Sequence, residues 1–497
     1  MDFLDPRKKR AYKARLITGY ILMALVIAMA AYLLANISYG YNFSTKTHTI
    51  IQNGLLFVDS KPGGAAIDLS GTQRGSTSAR LNLPAATYSL KLTKGGYRTW
   101  QRSVEVDAGA VAYYVYPFLF PKAPVSVSMQ SYATAPPLFT QTPDQHWLLV
   151  QTAVSSSASV NFDEYDASKP TQAAQVLSLP DSVLTNPGLP GSSLSLVEWS
   201  TDNNHVLLQH GYQGGSEFIV FDRSDPSQSF NVNRLFGVNP SQVALRNKSI
   251  NQLYIYDQSA QTLRVGDTTK GVLDPVFLKN VLAFKAYGSS LLTYVTDNNM
   301  PSGQAQARIW SNGPTYALYN FSAGSHYLID AAQYQGHWYY IAGSDTDDRV
   351  DIFEDPLSDI QNSSIGKALP TIALRVMGAD KVSFSNNARF VEVESGQSFG
   401  VYDFENKARF QYIIKAPLAG DLQWMDGSRL IGDSNNTVFV TDYDGTNQQL
   451  LVPTMEAAGG YFSSDFNHLF TVAPSANGGN YDLNNVDMRA GSDLPKT

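Results

Sequence analysis

The sequence predicts an all-β ectodomain on one N-terminal transmembrane helix: a small β-sandwich followed by a β-propeller of eight blades, or seven. Three observations carry this. Residues 16–45 hold no charged side chain and follow six basic residues. Residues 54–120 alternate apolar and polar positions in short runs broken by Gly and Pro. The remainder repeats one unit, an aromatic residue, a polar turn and an apolar strand, at a spacing of about 40–46 residues.

Composition agrees with this class. Of the 497 residues, 43% are hydrophobic and only 16% charged, against a usual charged share of about 25%. The 28 Tyr and 24 Phe favour strands over helical bundles. Cysteine is absent, which excludes disulfides, thiolate metal sites and a cysteine nucleophile. The net charge is −7. Residues 1–15 carry six basic groups against Asp2 and Asp5, so the rest of the chain carries −11. A mildly acidic body lacks the clustered positive charge that nucleic acid requires.

The first forty residues set the compartment. About twenty apolar residues at 1.5 Å rise cross a ~30 Å hydrocarbon core. The expectation is a basic cytoplasmic segment over 1–15, a bilayer-spanning helix over 16–39 and a linker over 40–53. Basic residues before a span hold that end in the cytoplasm. Tyr32, Tyr39 and Tyr41 sit toward the far end, as an interfacial aromatic belt does. A cleaved signal peptide is the competing reading, because Ala28-Met29-Ala30 has the small-x-small form. The apolar run continues past Ala30, which favours an uncleaved anchor. Both readings put the residues after about 45 outside the cytoplasm.

Residues 54–120 read as a half-buried antiparallel sheet. In 88–94 Tyr88, Leu90 and Leu92 share one face. In 100–106 Trp100, Val104 and Val106 do, with Arg102 interrupting them. In 111–116 Val111, Tyr113 and Val115 share a side. Pro62 cannot donate a ladder hydrogen bond, and Gly63 and Gly64 accept positive φ, so Pro62-Gly63-Gly64-Ala65 is a tight reversal between strands. Gly95-Gly96 marks another turn.

The order of these features resembles the PEGA domain, a small β-sandwich. Ser60-Lys61-Pro62, Gly64-Ala65, the Leu83-Pro84…Tyr88 strand, and the Lys94-x-Gly96-Tyr97 turn carry the resemblance, over about 54–120. Gly63 stands where an acid is frequent, and Thr77-Ser78 where Thr-Pro is frequent. The resemblance implies a cell-surface setting and contact with carbohydrate or envelope. It implies no catalytic residue, so Pro62, Gly63, Gly64, Ala65, Gly96 and Tyr97 are expected as structural motif residues.

In 121–475 the repeat starts fall at Phe139, Trp199, Leu245, Phe284, Ala332, Phe384, Trp424 and Phe462. The segment 125–130 is expected to pair with the last unit and close the ring, which removes exposed sheet edges. Residues 476–497 are expected as a last strand and a flexible tail. Thr142-Pro143-Asp144 and Asp444-Gly445-Thr446-Asn447 resemble turns of TolB-type, WD40-like propellers. An array of β-sandwiches is the alternative.

No catalytic motif of fixed spacing occurs. The seven histidines are His48, His146, His205, His210, His326, His337 and His468. Only His205 and His210 are close in sequence, and five residues apart on a strand they face opposite ways. Asp442-Tyr443-Asp444-Gly445 begins like a calcium loop but has Pro453 at the twelfth position, where Glu is needed. The acid-rich run Gly343–Asp355 is expected as a solvated loop, with a weak cation site as the alternative. Trp147, Trp199, Trp338 and Trp424 sit at recurring strand positions, which assigns them to packing rather than to sugar stacking.

The expected function is therefore a non-catalytic, membrane-anchored surface protein whose ectodomain binds an envelope polysaccharide or a surface protein, with no cofactor, no metal and no nucleic acid. An envelope scaffold and a propeller hydrolase are the alternatives.

Overall fold

A computed structural model describes residues 6–38, 41–44, 49–152, 160–185, 191–362, 366–476 and 478–494. Tyr39 of the aromatic belt, most of the turn within 40–53 and the last three residues of the tail lie outside the described residues.

The N-terminal helix spans Pro6–Ser38. Its stretch Tyr12–Ala35 has a mean hydropathy of 2.2 and is long and apolar enough to cross a membrane.

The chain divides into two compact units, residues 1–123 with 489–497, and residues 124–488. In the first, two four-stranded sheets form a β-sandwich. One pairs Thr49–Val58 with Tyr41–Ser44 and Ala79–Pro84 antiparallel, and with Val111–Tyr114 parallel. The other runs Thr72–Ser76, Ala66–Leu69, Ala86–Thr93 and Trp100–Val106. Leu56, Ile67, Leu90, Leu92, Trp100 and Val104 pack between them. Val111 and Tyr113 share the outward face, while Tyr114 and Tyr116 pack against the core. Arg102 is accommodated on the inner face by hydrogen bonding to the Tyr116 hydroxyl and lying over the Tyr114 ring.

Two expectations need correction here. The segment 40–53 is not simply a linker, because 41–44 and 49–52 pair as neighbouring strands. The tail is not loose through its described length. Ala490 N donates to the Tyr97 hydroxyl at 2.8 Å, which donates to Asp493 Oδ2 at 2.8 Å. Lys94 Nζ bonds Asp493 at 2.8 Å. Glycine is required on both sides of this contact. A Cβ on Gly96 would lie 3.1 Å from the Ala490 Cβ, and one on Gly491 would lie 2.8 Å from Gly95 O. Both glycines have positive φ, 85° and 59°, which other residues adopt only with strain.

The second unit is an eight-bladed propeller. Its first seven sheets take their strands in sequence order. Blades 1 to 7 span 139–178, 193–231, 242–279, 283–322, 330–374, 381–413 and 423–453. Each expected repeat start lies in the first strand of its blade. Blade 8 contains Tyr461–Phe462, His468–Pro474 and Tyr481–Asp487, and Val125–Tyr132 completes it as an antiparallel fourth strand. Blade 8 also meets blade 1 directly: Gln141 Nε2 donates to Phe462 O at 2.9 Å and Tyr461 OH to Phe139 O at 3.2 Å. The first strands of blades 2 and 3, of blades 4 and 5, and of blades 5 and 6 contact one another, which places these strands innermost.

The tryptophans fasten blades together. Trp199 Nε1 donates to Thr140 Oγ1 at 3.0 Å, joining blades 2 and 1. Trp424 Nε1 donates to Ser383 Oγ at 3.0 Å, joining blades 7 and 6. Trp338 stands edge-on to Tyr287, joining blades 5 and 4. The Trp147 ring lies 4.6 Å from the Arg223 guanidinium, joining blades 1 and 2.

Candidate functional site

The segments leading into the first strands of blades 7, 8 and 1 enclose a recess of about 490 Å³. Gly420, Gly432, Gly459 and Gly460 bring backbone to its wall. Their lack of side chains matters locally. A Cβ on Gly432 would lie 2.4 Å from a Leu422 methyl, and one on Gly460 would lie 2.8 Å from a Leu469 methyl. Polar groups come from Asp421, Asp433 and Glu456. Asp433 is buried and committed to the scaffold, accepting from Thr437 N at 3.0 Å and Ala457 N at 2.9 Å. Asp421 and Glu456 are exposed and belong to the same lining.

A second recess of about 260 Å³ shares Gly420 and Asp421 with the first and adds Asp380 and Glu394. Glu394 belongs to the second strand of blade 6, Phe390–Ser395, two residues beyond Glu392 and on the same face. Glu392 is fully buried. Its Oε2 accepts from Ser383 Oγ at 2.9 Å, so a hydrogen-bond chain runs from the Trp424 indole through Ser383 to this carboxylate. Its Oε1 has no partner among the described residues. Burial pushes the Glu392 carboxyl up, and repulsion from Glu394 pushes it further. Burial also raises Glu394, against the opposing pull of Lys381. Lys381 Nζ lies 3.4 Å from Glu394 and 3.7 Å from Asp421, and donates to Leu422 O. Burial, and for Glu392 repulsion from Glu394, hold protons on these two carboxyls to higher pH than an exposed carboxyl keeps them.

Sequence reasoning missed this pair. In a strand with one wet face, alternating Glu residues mark the solvent side. Here the sheet is covered on both faces, so the same pattern buries them.

The Pro62–Ala65 reversal of the small sandwich is held around Thr77. Gly64 N donates to Thr77 O and Ala65 N to Thr77 Oγ1, each at 3.0 Å. Ser60 Oγ lies 2.8 Å from both Pro62 O and Thr77 Oγ1. Lys94 Nζ donates to Gly63 O at 2.7 Å, tying the Pro62–Ala65 reversal to the Lys94–Tyr97 turn.

Most of the histidines are fixed by neighbours: His205 by Asp202 at 2.7 Å, His468 by Asn485 at 2.9 Å, His326 by Asp345 at 3.2 Å. The end of the acid-rich run approaches His337, whose ring, with Glu354 and Asp355, could place three ligand atoms within 4.8 Å. Nδ1 of His337 lies 2.6 Å from Asp355 Oδ2. That hydrogen bond raises the His337 pKa, so the arrangement favours an imidazolium–carboxylate pair. The Asp442–Gly445 segment is a turn between two strands, with Asp442 Oδ2 accepting from Asn447 at 2.9 Å.

Residues 53–116 match the PEGA domain. The small β-sandwich is thus of this kind, joined to a propeller. No curated protein is similar enough in sequence to stand as a relative. Similar solved structures include an oligogalacturonate lyase in complex with manganese, at 9% identity and a TM-score of 0.40, covering 74% of this chain and 98% of that one. Kluyveromyces lactis Hsv2 is 10% identical with a TM-score of 0.36, covering 70% and 97%. U3-55K is 11% identical with a TM-score of 0.35, covering 73% and 98%.

Proposed function

We propose that this chain is a single-pass, membrane-anchored surface protein, cytoplasmic at its N-terminus, whose propeller binds a hydroxyl-rich envelope polysaccharide at the recess of blades 7, 8 and 1. The binding role is non-catalytic at that recess. The lipid bilayer is the partner of residues 16–39, and nucleic acid is not a partner of so acidic a body.

The observation that carries the reading is the composition of the recess. It joins exposed carboxylates, Asp421 and Glu456, to backbone-lined walls. Carboxylates accept two hydroxyls each, and backbone amides and carbonyls supply the remaining donors and acceptors a sugar needs. The basic flank before the apolar helix supports the orientation.

Full-length protein in nanodiscs should retain envelope polysaccharide in a pull-down from a panel of purified polymers. Asp421→Asn with Glu456→Gln should reduce retention at least tenfold while leaving the unfolding midpoint unchanged. Absence of binding to every polymer, together with a protein that co-purifies stoichiometrically, would replace this reading with an envelope scaffold.

A further inference from the structure

We propose that Ser192, His210 and Glu217 form an acyl-transfer site on blade 2 that acts on short acyl esters of hydroxyl compounds. Ser192 precedes the first strand, His210 lies near the end of the second, and Glu217 near the start of the third. The hairpin between the second and third strands brings His210 and Glu217 directly opposite each other. Ser192 Oγ lies 2.8 Å from His210 Nε2. His210 Nδ1 lies 2.9 Å from Glu217 Oε1. A nucleophile bonded to one ring nitrogen and a carboxylate to the other is the order that activates a serine.

The surroundings fix the proton on the correct nitrogen. Glu217 accepts from Thr185 N at 2.6 Å, Thr185 Oγ1 at 2.7 Å and Asn231 Nδ2 at 2.7 Å, besides His210. Burial alone would raise the Glu217 pKa, but these donors outweigh it and lower the value. An ionised Glu217 has no proton to give, so the imidazole of His210 donates to it through Nδ1. Its Nε2 then carries the lone pair and accepts from Ser192. Arg234, which donates to Thr185 Oγ1 at 2.9 Å, adds positive charge behind the carboxylate. The imidazole is 0% exposed, whereas Ser192 is half-buried between exposed Gly191 and exposed Ser193. The base is thus dry and the hydroxyl reachable. Small neighbours admit a compact acyl group.

In the reaction Ser192 Oγ adds to the ester carbonyl carbon while its proton passes to His210 Nε2. The tetrahedral adduct expels the alkoxide, which takes that proton and leaves as the alcohol. Water then adds to the acyl group on Ser192, again through His210, and the carboxylic acid departs with Ser192 restored. Ester and water become acid and alcohol, with no other reactant. Ser192 and His210 are the catalytic residues, and Glu217 is a positioning residue.

The test is covalent labelling of full-length protein in detergent with a fluorophosphonate, followed by peptide mapping and by hydrolysis of p-nitrophenyl acetate. Labelling is expected at Ser192, rising with pH along a single limb. Ser192→Ala should abolish it, and Ser193→Ala should leave it unchanged. Glu217→Gln should slow it about 100-fold and displace the pH limb, with partial recovery in Glu217→Asp. No label on folded wild-type protein, or a label that survives Ser192→Ala, overturns the proposal and leaves the three residues as a brace within blade 2. The recess on blades 7, 8 and 1 does not contribute to this readout, so loss of polysaccharide binding and loss of labelling are separate results.

Discussion

Replacing Glu392 with Gln tests the electrostatics beneath the recess. In the folded protein this carboxyl keeps its proton to higher pH than in the unfolded chain, first because it is buried and second because Glu394 repels its charge. The unfolded value is about 4.3. Above it, the native state holds more protons than the unfolded state, so stability falls as pH rises until the folded group itself ionises. One proton's difference costs about 1.4 kcal/mol per pH unit in that window. With an unfolding entropy of about 2.1 cal/mol/K per residue, the propeller should lose about 2 °C of midpoint per pH unit from this group. Glutamine keeps the acceptor for Ser383 and removes the titration. Unfolding midpoints at pH 5, 6 and 7 should fall less steeply in Glu392→Gln than in wild type, so that the two curves separate by about 2 °C per unit. Parallel curves would show that Glu392 ionises as an exposed carboxyl does and that burial does not hold its proton.

Three further outcomes follow from the geometry. The His337 imidazole should titrate in NMR above the usual value of about 6.5, and Asp355→Asn should bring it back toward that value, since the hydrogen bond that the ring donates to that carboxylate is the main cause of the rise. Tyr97→Phe removes one bond from Ala490 N and one to Asp493, which should cost the small sandwich about 1–3 kcal/mol, read as lost hydrogen-exchange protection over 53–116. Unchanged protection would mean the tail contributes nothing to that unit. Trp199→Phe deprives buried Thr140 of its indole partner and should lower propeller stability by about 1–3 kcal/mol, whereas no change in midpoint would show that this bond does not fasten blades 1 and 2.

The architecture was largely legible because a propeller writes itself periodically. Phe139, Trp424 and Phe462 mark first strands through packing needs that recur in each blade. Closure by 125–130 was legible because a lone apolar strand before the first repeat needs a partner. Sites were less legible. Asp421 and Glu456 lie in the segments leading into different blades, and only the folded ring puts them in one lining. His210 and Glu217 are neighbours across a hairpin, but Ser192 joins them only through the pairing of the first and second strands. The tail contact joins residues about four hundred positions apart, and no local pattern announces such a pair.

In the proposed topology, one helix with basic residues before it delivers the β-rich mass to the outer side of the membrane. A fusion after Thr497 to a phosphatase that folds only outside the cytoplasm measures this directly. The phosphatase should be active and the matching fusion to a cytosol-dependent fluorescent protein should give no signal. A dark phosphatase with a bright cytosolic reporter would contradict it.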